Sequence, residues 1–253
     1  MNRAYRVLVF DNNTGSFDRL KRMSVWQEKS YEIIGKTAEI KVLDDACRTG
    51  SADLVICYNR PPLINTESVI AAVKRCSETA VCIAVSPFDD SENMRKCFIM
   101  GAVDYLTEPV SENRLREALV RASALIDSSF TESEYQQTLQ EYLERTECSD
   151  VKFLHRLHEF LAECENMTVS TEYAADWFGF NKDYFGRMFK QKMGLTFGEF
   201  YKLFRIRYAE KLLASGRYKV YEVSEQLGFS SVDYFTSVFK RVTGTTPSQL
   251  KKI

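Results

Sequence analysis

Four side chains that can do chemistry each end or follow a short β-branched segment. Asp11 follows V-L-V-F, Tyr58 ends D-L-V-I-C-Y, Ser86 ends A-V-C-I-A-V-S, and Glu108 follows V-D-Y-L-T. Two carboxylates, a phenol and a hydroxyl contain the groups needed for acid/base work. No base, however, stands beside a nucleophile in a catalytic motif. Enzymatic activity is therefore the weakest interpretation of this set, and we expect no catalytic residue.

A second set of side chains suits recognition of a partner. The segments 179–194 and 228–247 each read as a turn, a helix and a stop, with a stripe of Phe, Met and Val on one helix face. The other face carries short, polar or basic side chains: Asn181, Lys182, Asp183, Gly186, Arg187 and Lys190 in the first helix, and Ser230, Ser231, Val232, Asp233, Thr236, Ser237 and Lys240 around the second. Either Ser230 or Ser231 can cap the second helix.

The two segments are copies of one unit. Tyr184 corresponds to Tyr234 and Gly194 to Gly244, both at an offset of 50 residues. A repeat of this kind indicates a duplicated helix-turn-helix. Two such helices on a rigid connector can enter adjacent segments of one face of the major groove. We therefore predict double-stranded DNA as the partner, read at a bipartite site.

The doubled G-F…Y-F-x-x-x-F-K…G pattern, closed by T-P-S, resembles the AraC family of transcription regulators over residues 150–253. The resemblance implies an all-helical DNA-binding domain with two helix-turn-helix units. Arg187 is the best single candidate for base reading, because bidentate Arg–guanine pairing is the commonest specific contact. The second helix lacks strong donors, so we expect apolar contacts and positioning from it. Gly186 costs about 1 kcal/mol of helix stability relative to alanine.

Residues 6–125 alternate short strands with helical patterns. The predicted strands are 6–10, 31–37, 53–58, 80–86 and 103–107, and the predicted helices are 16–29, 40–49, 65–76, 90–100 and 112–126. Five β-α units imply a parallel sheet covered on both faces. Because ligands of such sheets bind at the carboxyl ends of the strands, Asp11, Tyr58, Ser86 and Glu108 should converge on one pocket.

Three segments resemble the receiver domain of two-component response regulators: V-L-V-F-D-N-N, D-L-V-I-C-Y-N-R-P-P and G-A-V-D-Y-L-T-E-P-V. The resemblance covers about residues 4–126 and implies a flavodoxin-like, doubly wound, five-stranded parallel sheet. The expected organisation is a receiver-like domain at 1–126, a helical linker at 127–149 and an AraC-type domain at 150–253. The fold class is thus α/β followed by all-α.

Three departures from the receiver pattern stand in the expected pocket. Tyr58 replaces the aspartate that accepts phosphate in the family, and tyrosine cannot form an acyl phosphate. Asn12 and Asn13 follow Asp11 where a second metal-binding carboxylate is usual, and Mg²⁺ favours carboxylate oxygens. Glu108 stands where the family usually carries a lysine that pairs with the phosphate, and its carboxylate would repel a phosphoryl group. We therefore expect a pseudo-receiver with a degenerate pocket (Asp11, Asn12, Tyr58, Ser86 and Glu108), either filled by Tyr58 or open to a small molecule or a regulatory protein.

Residues 127–150 begin with D-S-S-F-T, which predicts a break after the preceding helix. Tyr135, Leu139, Tyr142 and Leu143 then form one helical stripe with acidic flanks. This stripe could pair with its copy in a homodimer, although it is too short for a coiled coil.

The distribution of charge along the chain and its cysteine content agree with a two-domain regulator. Residues 151–253 hold 16 Lys/Arg and 11 Asp/Glu, a net charge of +5, while residues 1–150 hold 18 and 24, a net charge of −6. Seven cysteines without a C-x-x-C pair indicate thiols in a reducing cytoplasm, and no apolar run is long enough for a membrane. We expect no metal or cofactor. Two alternatives remain open: a working, phosphorylation-responsive receiver, and an adaptor that has lost DNA binding.

Overall fold

The computed structural model describes residues 3–28, 30–164 and 168–250, which form two compact units. The first unit is Arg3–Phe130, and the second begins at Thr131. The division lies between the ends predicted for the receiver-like domain and for the linker, so residues 127–149 are shared between the two units. None of the helices in the described part of the chain combines the length and the apolar character that a membrane crossing needs.

The first unit is built on a five-stranded parallel sheet with the strand order β2-β1-β3-β4-β5. Its strands are β1 Tyr5–Phe10, β2 Tyr31–Thr37, β3 Leu54–Tyr58, β4 Val81–Ser86 and β5 Asp104–Thr107. Its helices are α1 Thr14–Lys21, α2 Ile40–Arg48, α3 Thr66–Cys76, α4 Ser91–Ile99 and the first part of α5 Glu112–Glu144. This confirms the predicted doubly wound α/β fold.

Two hydrophobic clusters cover the two faces of this sheet. Val7 and Val9 of β1 join the cluster that α1 and α5 complete, whereas Leu8 and Phe10 join the one that α2, α3 and α4 complete. Successive side chains of a strand point to opposite faces, so one short apolar strand supplies both cores. Every residue of β3 and β4 is buried, as the continuous β-branched runs predict.

The first predicted helix, 16–29, is wrong in its second half. Helix α1 ends at Lys21, and a 3₁₀ turn follows over Ser24–Glu28. The Trp26 indole donates to the carbonyl oxygen of Leu20 at 2.6 Å. The Leu20 carbonyl oxygen also accepts from the Met23 N–H at 3.2 Å, an i→i+3 bond that tightens the last turn where the α-helix ends.

The predicted break after residue 127 is also wrong, because α5 runs without interruption from Glu112 to Glu144. Serine costs only about half a kilocalorie per mole relative to alanine inside a helix. Burial of Ile126 on one side of the Ser/Thr segment and of Tyr135 on the other outweighs so small a propensity.

The second unit is all-helical, as predicted. After the last turns of α5 it contains α6 Val151–Glu163, α7 Thr171–Phe178, α8 Lys182–Met193, α9 Phe197–Ala214, α10 Val220–Gln226, α11 Val232–Thr243 and α12 Pro247–Leu250. The long central helix α9 begins and ends where the apolar pattern predicts. Its Phe204 and Tyr208 rings lie edge-on against Tyr135 of α5, with ring centroids 5.2 and 5.3 Å apart.

The stripe of α5 predicted to pair with a copy of the chain is therefore used inside the second unit. Tyr135, Leu139 and Leu143 are buried, and the Tyr135 hydroxyl donates to the carbonyl oxygen of Leu161 at 2.7 Å. Tyr142 packs on Phe200 with ring centroids 5.1 Å apart. The apolar face seen in the sequence is a core face of one chain, and it gives no support to a helical dimer.

Candidate functional site

The carboxyl ends of β1, β3 and β5 bring three of the predicted pocket residues together around one cation. Asp11 and Tyr58 are fully or almost fully buried, and the Glu108 side chain is 17% exposed. Ser86 is buried at the end of β4, where its hydroxyl accepts from the Phe88 N–H at 3.2 Å. Asn12 is exposed and does not line this cluster.

The cation is Arg60, which our inspection of the sequence missed. Its guanidinium donates to both carboxylate oxygens of Glu108, at 2.5 and 3.1 Å, and to Ser16 Oγ at 2.7 Å. Its Nε lies 3.5 Å from Asp11 Oδ1, and its Cζ lies 5.1 Å from the centre of the Tyr58 ring. The signal was present in the N-R-P-P that follows β3, two residues after the position that an acceptor aspartate would occupy.

Burial and hydrogen bonding act in opposite directions on the two carboxylates. Hydrogen bonds from Arg60 are the main cause that lowers the pKa of Glu108 below its ordinary value. At Asp11 burial wins and raises the pKa, although the Asn13 N–H and Arg60 oppose it. Burial also raises the pKa of Tyr58, so its phenol stays protonated.

These residues do not fit the metal and phosphoryl chemistry of a receiver. The Arg60 guanidinium contacts both Asp11 and Glu108, so a positive charge already lies between the two carboxylates where a hard divalent ion would have to bind. A phenol stands where the family carries its acceptor carboxylate. The pocket is filled from within by Arg60 and Tyr58, which extends the expectation that Tyr58 alone fills it.

The second unit presents two helix-turn-helix pairs, α7–α8 and α10–α11. Helices α8 and α11 both have 12 residues, and they begin at Lys182 and Val232, 50 residues apart, which is the offset of the sequence repeat. Each ends at a glycine in the left-handed region, Gly194 at φ 75° and Gly244 at φ 79°. The duplication inferred from the sequence is thus a structural duplication.

The structure shows which side chains cap the two helices, including the choice between Ser230 and Ser231 for α11. Ser231, and not Ser230, caps α11 by accepting from the Tyr234 N–H at 3.1 Å. Asn181 caps α8 in the same way, accepting from Tyr184 N at 2.9 Å. The Oδ1 atom of Asn181 is thus used by the backbone of α8, while the side chain remains exposed.

The outer faces of α8 and α11 are open to solvent, while the apolar stripes are buried. Phe185 and Phe189 are fully buried in α8, and so are Phe235 and Phe239 in α11. Among the residues predicted to contact DNA, Gly186 and Thr236 are partly exposed and all the rest are exposed.

The charged members of these faces are not equally available. The Lys182 ammonium is paired with Glu172 of α7. Within the described ranges, Arg187, Lys190 and Lys240 form no ion pair or side-chain hydrogen bond. Exposed cations without an internal partner are the side chains that an anionic partner can neutralise.

Two exposed aromatic rings accompany the faces at equivalent places. Tyr184 and Tyr234 are nearly half exposed, and each leans on the turn phenylalanine of its own unit, with centroids 5.0 Å from Phe180 and 6.2 Å from Phe229. Their signal in the sequence was the repeat itself, which places a tyrosine at the third position of both helices.

Comparison with known proteins supports this description. Residues 174–253 match a family profile described as "Helix-turn-helix domain". An uncharacterized response regulatory protein of Staphylococcus epidermidis is 25% identical over 262 residues, covering 98% of this chain and 99% of that protein. The uncharacterized transcriptional regulatory protein YesN of Bacillus subtilis is 37% identical over 93 residues, which cover 36% of this chain and 25% of YesN.

A solved signal receiver domain, from an HD domain-containing protein of Pseudomonas fluorescens Pf-5, covers 50% of this chain and 99% of that chain with a TM-score of 0.44 and 19% identity. The fold assignment depends on the strand order and on the buried parallel strands, not on this superposition. By its sheet order, its paired helix-turn-helix units and its sequence similarities, the chain is a transcription regulator that joins a receiver-fold unit to an AraC-type helix-turn-helix domain.

Proposed function

We propose that the chain regulates transcription from bipartite DNA sites without aspartyl phosphorylation of its receiver-fold unit. The proposal that regulation does not use aspartyl phosphorylation is based on Arg60, whose guanidinium lies among Asp11, Tyr58 and Glu108. In that position it holds the carboxylates that would otherwise bind a metal. The signal that controls the protein then acts by binding of a small molecule or another protein rather than by phosphoryl transfer.

Base reading is assigned to the outer faces of α8 and α11. Arg187 supplies the strongest donor set, and Lys190 and Lys240 contact phosphates at equivalent places in the two units. Val232 and Ser237 give the second unit apolar and weak polar contacts. The two half-sites therefore contribute unequally, and we expect the half-site bound by α8 to carry most of the hydrogen-bonded sequence preference.

Genome-wide capture of DNA by the purified chain, with and without acetyl phosphate and Mg²⁺, tests both parts. The expected outcome is a set of discrete bipartite sites that the phosphodonor leaves unchanged. Sites that appear only with the phosphodonor would establish the alternative, a phosphorylation-responsive regulator. A chain that captures no discrete site would instead favour the adaptor.

The variant Tyr58→Asp sharpens the phosphorylation test. It restores the acceptor aspartate but leaves Arg60 and Glu108 in place, so we expect no hydroxylamine-sensitive phosphate on the protein after incubation with acetyl phosphate and Mg²⁺. The matched positive control is the quadruple variant Asn12→Asp, Tyr58→Asp, Arg60→Ala, Glu108→Lys, which also removes the internal cation and restores both the second metal-binding carboxylate and the lysine. Phosphate on the single variant would show that Arg60 does not block the pocket.

A further inference from the structure

A groove with cations at its rim lies between the two helix-turn-helix units. It has a volume of about 680 Å³ and is lined by α8, α9, α11 and the turn after α8. Leu195, Leu203, Val238 and Val242 give it an apolar floor, and Lys190, Lys202 and Arg241 stand around that floor. Neither Lys202 nor Arg241 belongs to the base-reading faces described above.

The lining of this groove carries three cations and one carboxylate, a net charge of +2. Within the described part of the chain, Lys190, Lys202 and Arg241 form no ion pair or side-chain hydrogen bond. Glu199 is the acidic residue of the lining, and its carboxylate is already held at the start of α9. There it accepts from Thr196 N at 3.0 Å and from Thr196 Oγ1 at 2.7 Å, a capping box.

Geometry places this groove on the side from which DNA would approach. Lys190 belongs both to the exposed face of α8 and to the groove lining. If α8 and α11 enter successive segments of the major groove, the intervening minor groove and its two backbones face the protein between those helices. An apolar floor with a cationic rim is complementary to that backbone, whose deoxyribose rings are apolar and whose phosphates are anionic.

We propose that the groove seats the sugar–phosphate backbone between the two half-sites and that Lys202 and Arg241 neutralise phosphates there. This inference rests on the proposed DNA-binding function and adds a contact that carries no base information. The contact sets the spacing between half-sites, because the backbone can enter the groove only when both recognition helices are in place. Its sequence dependence comes from the shape of the central base pairs.

The test compares Lys202→Gln and Arg241→Gln with Lys152→Gln, which removes the same charge from the exposed surface of α6 outside the groove. Affinity for a captured bipartite site is measured from low to high salt. Each groove variant should lower the slope of log affinity against log salt by about 0.9 while leaving the preference among sequences unchanged. The control should leave the slope unchanged. Circular dichroism checks that each variant is folded.

A second arm uses duplexes whose central phosphates, between the half-sites, are replaced by neutral methylphosphonates. The wild-type chain should bind these duplexes more weakly than the natural duplex. The Lys202→Gln chain, which keeps only Arg241 of the two proposed contacts, should show a smaller loss. Equal weakening of both chains, or a salt slope for Lys202→Gln equal to that of Lys152→Gln, would overturn the groove contact. A wild-type chain that binds no specific duplex would instead overturn the proposed function itself.

Discussion

At the scale of single residues, Arg60 decides what the receiver-fold pocket can do. It is the shared partner of a fully buried aspartate and of a glutamate, and its own side chain is 18% exposed. At Glu108 hydrogen bonding by Arg60 prevails, whereas at Asp11 desolvation prevails even beside the same guanidinium. The Arg60 guanidinium thus offsets part of the cost of placing Asp11 and Glu108 in the same pocket.

Replacing Arg60 should destabilise the first unit. Arg60→Ala removes the cation that contacts both Asp11 and Glu108 and leaves Glu108 beside the more exposed Arg19, 3.7 Å away. We expect a loss of about 3 kcal/mol, the lower end for a buried pair because the guanidinium retains some solvent contact. Urea unfolding at neutral pH measures the loss. The control is Arg75→Ala, which removes an exposed ion pair with Asp44 and should change stability little. Equal effects of the two substitutions would show that the cluster around Arg60 is not structurally important.

The lowered pKa of Glu108 predicts a pH dependence. A carboxylate whose pKa falls on folding stabilises the folded state above its ordinary pKa, and that stability is lost as pH decreases through the lowered value. The stability difference between wild type and Glu108→Gln should therefore be larger at pH 7 than at pH 3. Unfolding in urea at the two pH values measures it. The pKa of Asp11 is raised, so the wild type should be less stable relative to Asp11→Asn at pH 7 than at pH 3. A stability difference between wild type and Glu108→Gln that grows toward acid pH would contradict the lowered pKa of Glu108.

On the DNA-binding side, Arg187 should separate sequence reading from charge. Arg187→Ala is expected to cost about 1–3 kcal/mol of binding free energy and to relax the preference at one position of the site. Lys190→Ala is the comparison, because it lies on the same face and should weaken all sequences alike. Binding to a library of single-base variants distinguishes the two outcomes. A uniform loss for Arg187→Ala would make Arg187 a phosphate contact.

At the scale of elements, the two helix-turn-helix units have the same backbone conformation at their turns, but the atoms around the two turns differ. Both turns begin with a glycine of positive φ, 78° at Gly179 and 65° at Gly228. A Cβ at Gly179 would meet open space, whereas one at Gly228 would clash with Thr168 Oγ1. The first glycine is required by its conformation alone, and the second by its conformation and by a close neighbour.

Alanine at the two glycines should reveal that difference. Gly179→Ala should cost about 1–2 kcal/mol, the strain of a left-handed conformation. Gly228→Ala should cost more, since Thr168 must also move. Thermal unfolding of the two variants measures the costs, and adding Thr168→Ala should recover part of the loss in the second variant only. Equal costs at Gly179 and Gly228 would indicate that Thr168 moves aside freely.

At the scale of the whole molecule, helix α5 serves two cores. Leu119, in its first half, is buried in the sheet cluster of the unit Arg3–Phe130. Leu139, in its second half, is buried in the unit that begins at Thr131, where α9 supplies the facing aromatic rings. Leu119 belongs to the predicted helix 112–126, whereas the segment predicted as a linker supplies Leu139 to the core of the second unit.

Truncating each leucine should affect its own unit. Leu119→Ala and Leu139→Ala should each cost about 2–5 kcal/mol, because both side chains are fully buried. Amide hydrogen exchange should accelerate in the strands of the sheet for the first variant and in α9 for the second. Faster exchange of α9 amides in Leu119→Ala, to the same extent as in Leu139→Ala, would mean that the two units unfold together.

The sequence by itself predicted the strands, the repeat and the three departures in the receiver-like pocket, because these depend on local periodicity and on residue type at fixed spacing. Helix α9 agrees with the helix that the apolar stripe predicts over about 197–214, since that stripe and the stop at Ser215-Gly216 are local signals. The choice of Ser231 over Ser230 as the cap needed coordinates, because both hydroxyls stand within reach of the helix start.

Tertiary structure alone decided the features that join distant parts of the chain. Arg60 reaches Glu108, 48 residues away, and only the folded sheet brings the ends of β3 and β5 together. The continuity of α5 was decided by burial on both sides of its Ser/Thr segment, which outweighs local propensity. Periodicity shows that a face is apolar, but only packing shows what covers it: the stripe of α5 that looked available to a second chain is covered by α9 of its own.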